Sequence, residues 1–188
     1  MNYLYIHGAN ATGKSFNYIR KHLGGDDLVL EYNSSNGFKS NLESMVSELS
    51  EKQDLFVIAH SLGGLYAVNL THKLPKSIRG AVTMSTPYGG SSIAGFASIM
   101  LPHSKLLRDI TPSSDVIRST AEIKITIPWC QVITTKGNVP WLLSPNDGVI
   151  TRESMTDRSD IEYIEIDSNH YEIVLEPRVI DLIRILSK

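Results

Sequence analysis

Along this chain, short apolar runs bounded by turn residues alternate with stretches whose apolar positions recur at helical spacing. Residues 2–6 (NYLYI), 28–32 (LVLEY), 54–59 (DLFVIA), 78–84 (IRGAVTM), 129–134 (WCQVIT) and 161–166 (IEYIEI) read as strands. Between the second and third, Ser40 and Glu43 match a capping box ahead of Leu42, Met45, Val46 and Leu49, which share one helical face. A second helix is predicted from Leu62 to about Lys73. A last one opens with Pro177 at its first position and carries Val179, Ile180, Ile183 and Leu186 at helical spacing. Strands that alternate with helices predict an α/β fold: a mainly parallel sheet, right-handed crossovers and helices on both faces. The alternation breaks at 87–127, which is rich in Ser and Pro and holds apolar patches such as "IAGFASIML". That segment is too long for a simple connection and is expected to be a lid-like excursion with its own helices.

With 188 residues the chain reads as one domain, 1–188, able to bury a core without metal or disulfide support. The net charge is −2 and the basic residues are scattered, which excludes an electrostatic case for nucleic acid or an anionic membrane. The single cysteine, Cys130, cannot form an internal disulfide. No apolar run reaches the ~18 residues that a membrane span needs. The first residues form a strand without the basic and apolar segments of a signal peptide, so a cytoplasmic location is expected.

The third strand runs into "VIAHSLGGLYAVNL". An apolar strand, small-x-Ser-x-Gly and a helical pattern together describe a nucleophile elbow, with Ser61 on a tight, strained turn. Ala59 and Gly63 are small because larger side chains would collide where strand and helix approach. The N–H of Leu62 faces the same side and can receive a developing oxyanion.

The blocks "HGANATGKSFNYI", "AHSLGGLYA", "STPYGGS", "NDGVI" and "NHYEIVLEP" occur in the order of the landmarks of lipase-like α/β-hydrolases. Through them the chain resembles the small bacterial lipases and esterases of that superfamily, with Ala59 where the elbow commonly has Gly. The resemblance is weakest at 91–127. It implies a sheet ordered 2-1-3-4-5-6, with the excursion following the fourth strand.

A serine hydroxyl needs a base. Of six histidines, His170 in "DSNHYE" follows the last strand at the sheet's carboxyl end and can reach Ser61. His60 adjoins the nucleophile along the strand and should point away from it. The imidazole in turn needs a carboxylate to hold its tautomer. Asp147 in "SPNDGVI" is the candidate, and Asp167 is the main rival. The order Ser61, Asp147, His170 is that of α/β-hydrolases. Some members of the family take the acid from the loop after the fourth strand, but here that loop, "MSTPYGG", contains none.

The first strand leads into "HGANATGKS", which admits two readings. Gly8 to Ser15 fits G-x-x-x-x-G-K-[ST], a phosphate-binding loop of nucleotide binders. That chemistry also needs an Asp ending a second apolar strand, and the natural candidate strand ends in the Ser61 elbow instead. With the strand order the resemblance implies, the loop lies beside that elbow, and Ala9 supplies a second oxyanion N–H. The resemblance implies carboxylic-ester hydrolysis through an acyl-enzyme, with no metal or organic cofactor and a small-molecule ester or thioester as substrate. Acyl-thioester hydrolysis and a non-catalytic hydrolase-fold binding module stand as alternatives. Phe96, Met100, Trp141 and Leu142, with Ile93, Ile99 and Leu101, are candidates to line an acyl pocket, or equally to pack a satellite core.

Overall fold

The computed structural model describes residues 2–91, 105–137, 139, 142 and 144–188. Six parallel strands form one sheet: β1 (Asn2–Ile6), β2 (Asp26–Leu30), β3 (Leu55–His60), β4 (Ile78–Met84), β5 (Trp129–Thr134) and β6 (Glu162–Ile166). Their order is β2-β1-β3-β4-β5-β6, as the resemblance implied. The reversal of strand order beside β1 and β3 opens a crevice at their carboxyl ends, where ligands bind in such sheets.

Alternation along the central strands feeds two cores. Leu4, Ile6, Leu55, Val57 and Ala59 face α2 (Phe38–Leu49) and α3 (Leu62–Lys73). Tyr3, Tyr5, Phe56 and Ile58 face α1 (Asn17–Leu23) and the C-terminal helix, which presents Val179, Ile180 and Ile183. β3 is buried at every position because both its faces are covered, which is why it reads as an unbroken apolar run. Within the expected excursion, α4 (Lys105–Asp109) and α5 (Asp115–Glu122) follow β4; α6 (Arg152–Met155) and α7 (Pro177–Leu186) complete the described helices.

Two sequence expectations are corrected. The capping box at Ser40 does not form: α2 begins at Phe38, and the Phe38 N–H donates to the Asp109 carboxylate at 2.8 Å. That partner lies 71 residues away, so local pattern could not reveal it. β2 ends at Leu30, not residue 32, because its register pairs Ile6 with Leu30 and β1 stops there. Glu31 and Tyr32 thereby leave the sheet and reach over the first loop.

Candidate functional site

The turn from β3 into α3 holds Ser61 at φ 53°, ψ −124°, a strained conformation for a residue with a side chain. The strain is sustained by close packing beneath it. A Cβ on Gly63 would lie 2.1 Å from the carbonyl oxygen of Ile6, and one on Gly64 would lie 1.9 Å from Thr86 Oγ1. The small residues read from the sequence thus let α3 start directly against β1. The Ser61 N–H is anchored to Met84 O at 2.8 Å.

His170, on the loop after β6, brings Nε2 to 3.1 Å from Ser61 Oγ. Its Nδ1 lies 2.8 Å from Asp147 Oδ2. A carboxylate only accepts, so Nδ1 carries the proton and the bare Nε2 of the neutral ring accepts the serine hydroxyl. Main chain supports the pairing, with the His170 N–H donating to Asp147 O at 3.0 Å. Asp167, the rival, is exposed and forms no hydrogen bond or ion pair with His170.

Asp147 is buried, yet both its oxygens are occupied. Oδ1 accepts the N–H groups of Val149 (3.0 Å) and Ile150 (2.7 Å), and Oδ2 accepts Thr134 Oγ1–H at 2.7 Å beside His170. Burial alone would raise its pKa. The hydrogen bond and charge of His170, with the Ile150 N–H and the Thr134 hydroxyl, outweigh burial and hold the carboxyl below the usual range. Thr134 in turn receives Ser85 Oγ–H at 2.6 Å. Sequence reasoning missed Thr134 and Ser85, since hydroxyl residues at strand ends carry no distinctive pattern.

The His60 ring does not turn away from the site. Its Nε2–H donates to the carbonyl oxygen of His170 at 2.8 Å, and the two ring centroids are 4.9 Å apart. The only legible signal was its position next to Ser61. Burial, reinforced by the neighbouring His170 ring, drives the His60 pKa down to about 3. An unfolded His binds its proton near pH 6.5, so the neutral buried ring contributes stability above that pH and loses it progressively as pH falls towards 3. Between pH 6.5 and 5 the wild type should lose on the order of 2 kcal/mol more than His60→Gln. Urea denaturation of both proteins across that range checks this, and parallel slopes would refute it.

The cleft beside Ser61 and His170 encloses about 250 Å³ and is bordered by Ile110, Val149, Ile150 and Val174. No Asp, Glu, Lys or Arg borders it among the described residues. Leu142 is half-buried and not among the residues lining this cleft, while Phe96, Met100, Trp141, Ile93, Ile99 and Leu101 lie outside the described residues. Across the mouth, neither the N–H of Ala9 nor that of Leu62, the first residue of α3, donates to an acceptor among the described residues.

The phosphate-loop reading of Gly8 to Ser15 gains no support. The Gly13 N–H is taken by Glu31 Oε1 at 2.8 Å, and the Ser15 N–H by Thr12 O at 3.0 Å. Lys14 is exposed on a 3-10 turn, Gly13–Phe16, capped by Thr12. Among the described residues, no helix is long and apolar enough to cross a membrane, and no His, Cys, Asp and Glu cluster could hold a metal ion.

No protein-family model matches this sequence, and no curated protein matches it either. The resemblance is to solved structures. The mature form of Bacillus licheniformis lipase BlEst2 superimposes with TM-score 0.77 at 13% identity, covering 100% of this chain and 91% of that one. Its propeptide form gives 0.78 at 14% identity, with 99% of this chain covering only 50% of that chain. Phospholipase PlaB from Legionella pneumophila gives 0.78 at 12%, covering 99% and 59%. The Vlm2 thioesterase domain gives 0.62 at 15%, covering 99% and 95%. The chain thus spans about half to three-fifths of two of these relatives. It has the α/β-hydrolase fold, which these structures share.

Proposed function

We propose that the protein is a serine hydrolase that cleaves carboxylic esters through Ser61, His170 and Asp147. One observation carries the reading: His170 spans 3.1 Å to the Ser61 hydroxyl and 2.8 Å to a buried carboxylate, above an elbow strained at the serine. In this mechanism His170 Nε2 takes the Ser61 proton as Oγ adds to the ester carbonyl. The N–H groups of Ala9 and Leu62 receive the oxyanion, each such donor contributing about 3 kcal/mol to transition-state stabilisation. His170 then protonates the departing alcohol, leaving an acyl-Ser61. Water, deprotonated by His170, attacks that ester and releases the acid, returning the proton to Ser61. Asp147 keeps the ring oriented and stabilises the imidazolium.

The cleft, largely apolar and bordered by no Asp, Glu, Lys or Arg among the described residues, favours neutral acyl groups of modest length. Thioesters require the same machinery and form the second reading, favoured by the superposition on a thioesterase domain. A panel of nitrophenyl esters of rising acyl length, plus acyl-thioesters, tests both readings with Ser61→Ala as the blank. Short and medium esters should turn over fastest. Higher kcat/KM for matched thioesters would move the assignment to thioesterase, and no turnover above the blank would leave a binding module.

A further inference from the structure

The loop between β1 and the 3-10 turn, residues 7–13, carries the Ala9 N–H, and its geometry is set from outside by a residue at the end of β2. Glu31 spans the loop's two ends. Its Oε1 accepts the Gly13 N–H at 2.8 Å, and its Oε2 lies 3.2 Å from Nε2 of the buried His7. The second contact is an ion pair when the ring is protonated. His7 Nδ1–H donates to the carbonyl oxygen of Gly8 at 2.8 Å, so Nε2 of the neutral ring carries no hydrogen, and the bond from the Gly13 N–H is the part of the contact that holds in either protonation state.

Neighbouring side chains reinforce the same loop. Tyr32 stacks on the His7 ring at 4.2 Å and 6°, and its hydroxyl donates to His7 O at 2.8 Å. The Asn10 N–H donates to Ser34 Oγ at 3.0 Å. Gly13 is what permits the closure: a Cβ there would lie 2.2 Å from Val29 Cγ1 and 2.8 Å from Glu31 Oε1. The second glycine of the phosphate-loop pattern therefore serves a carboxylate of the protein itself. Glu31 is 58% exposed at its side chain, so replacing it removes the clamp without opening the core.

We propose that Glu31 is a positioning residue which, by accepting the Gly13 N–H at the far end of the loop, holds the Ala9 N–H where the oxyanion forms. This rests on the ester-hydrolase reading above. Oxyanion donors act through placement, so loosening one should lower kcat and spare substrate binding.

The test uses the full chain as wild type, Glu31→Ala and Glu31→Gln. Kinetics are measured on a short nitrophenyl ester, alongside thermal melting and hydrogen exchange of the peptide spanning residues 7–16. Glu31→Ala should lower kcat about tenfold with KM within twofold, and should quicken exchange in that peptide. Glu31→Gln keeps a carbonyl acceptor for the Gly13 N–H and should restore kcat to within about threefold of wild type. Unchanged kcat in Glu31→Ala overturns the proposal, as does a loss carried by KM or one that follows the melting temperature in both variants. A wild type without hydrolysis fails the parent reading, and the exchange data then report whether the clamp exists without catalysis, which also overturns the role assigned here.

Discussion

Ser61→Ala should reduce ester turnover roughly 10⁶-fold, to the level of the residual oxyanion site or below detection. The size follows from the covalent step. Without Oγ no acyl-enzyme forms, and water would have to attack from a cleft whose base is aligned for a hydroxyl 3.1 Å away. Folding should be little affected. The strained φ of 53° is held by Gly63 and Gly64 packing on β1 and Thr86, and alanine at position 61 keeps those contacts. The measurement is steady-state hydrolysis with melting temperature as a control. Turnover retained above about 1% of wild type would place the nucleophile elsewhere.

Asp147→Asn should lower kcat about 10⁴-fold with little change in KM. The mutant amide would keep its oxygen on the Val149 and Ile150 N–H groups, where Asp147 Oδ1 now sits. Its NH₂ group would then face His170 Nδ1 and Thr134, donating to Nδ1 instead of accepting from it. The ring would carry its proton on Nε2 and could no longer accept the serine hydroxyl. An asparagine variant retaining more than a tenth of wild-type kcat would contradict the role of this carboxylate. Asp167, exposed and not hydrogen-bonded to His170, is the natural control: Asp167→Asn should leave kcat within about twofold.

These two expectations rest on residues whose types and order were legible in the chain. "VIAHSLGGLYA" carries its own structural context, since an apolar run, small flanking residues and a helical pattern constrain one another locally. The strands β1, β4 and β5 were legible to the residue for the same reason: each is buried on both faces or nearly so and bounded by turn formers. What the sequence hid was long-range. Asp109 displaces the Ser40 capping box across 71 residues, and Leu30, not Tyr32, ends β2 because β1 ends opposite it. His60 was misread because strand alternation describes the direction of a side chain but not the loop that folds over it. In the structure His170 O comes to meet its Nε2–H. The G-x-x-x-x-G-K-S match, set aside because the strand that should carry the metal-binding Asp ends in the Ser61 elbow, folds as a helical turn at Gly13–Phe16. The need for glycine at position 13 was not legible, because the group it approaches, the Glu31 carboxylate, comes from the end of another strand.

The central claim is that Ser61 is made nucleophilic by the imidazole and carboxylate that converge on it. Incubation with a fluorophosphonate, digestion and mass spectrometry of the labelled peptides test this directly. The account predicts one stoichiometric adduct, on Ser61, that is lost when His170 is replaced by alanine in a protein that still melts cooperatively. Labelling on another residue, or no labelling of the folded wild type, would contradict it.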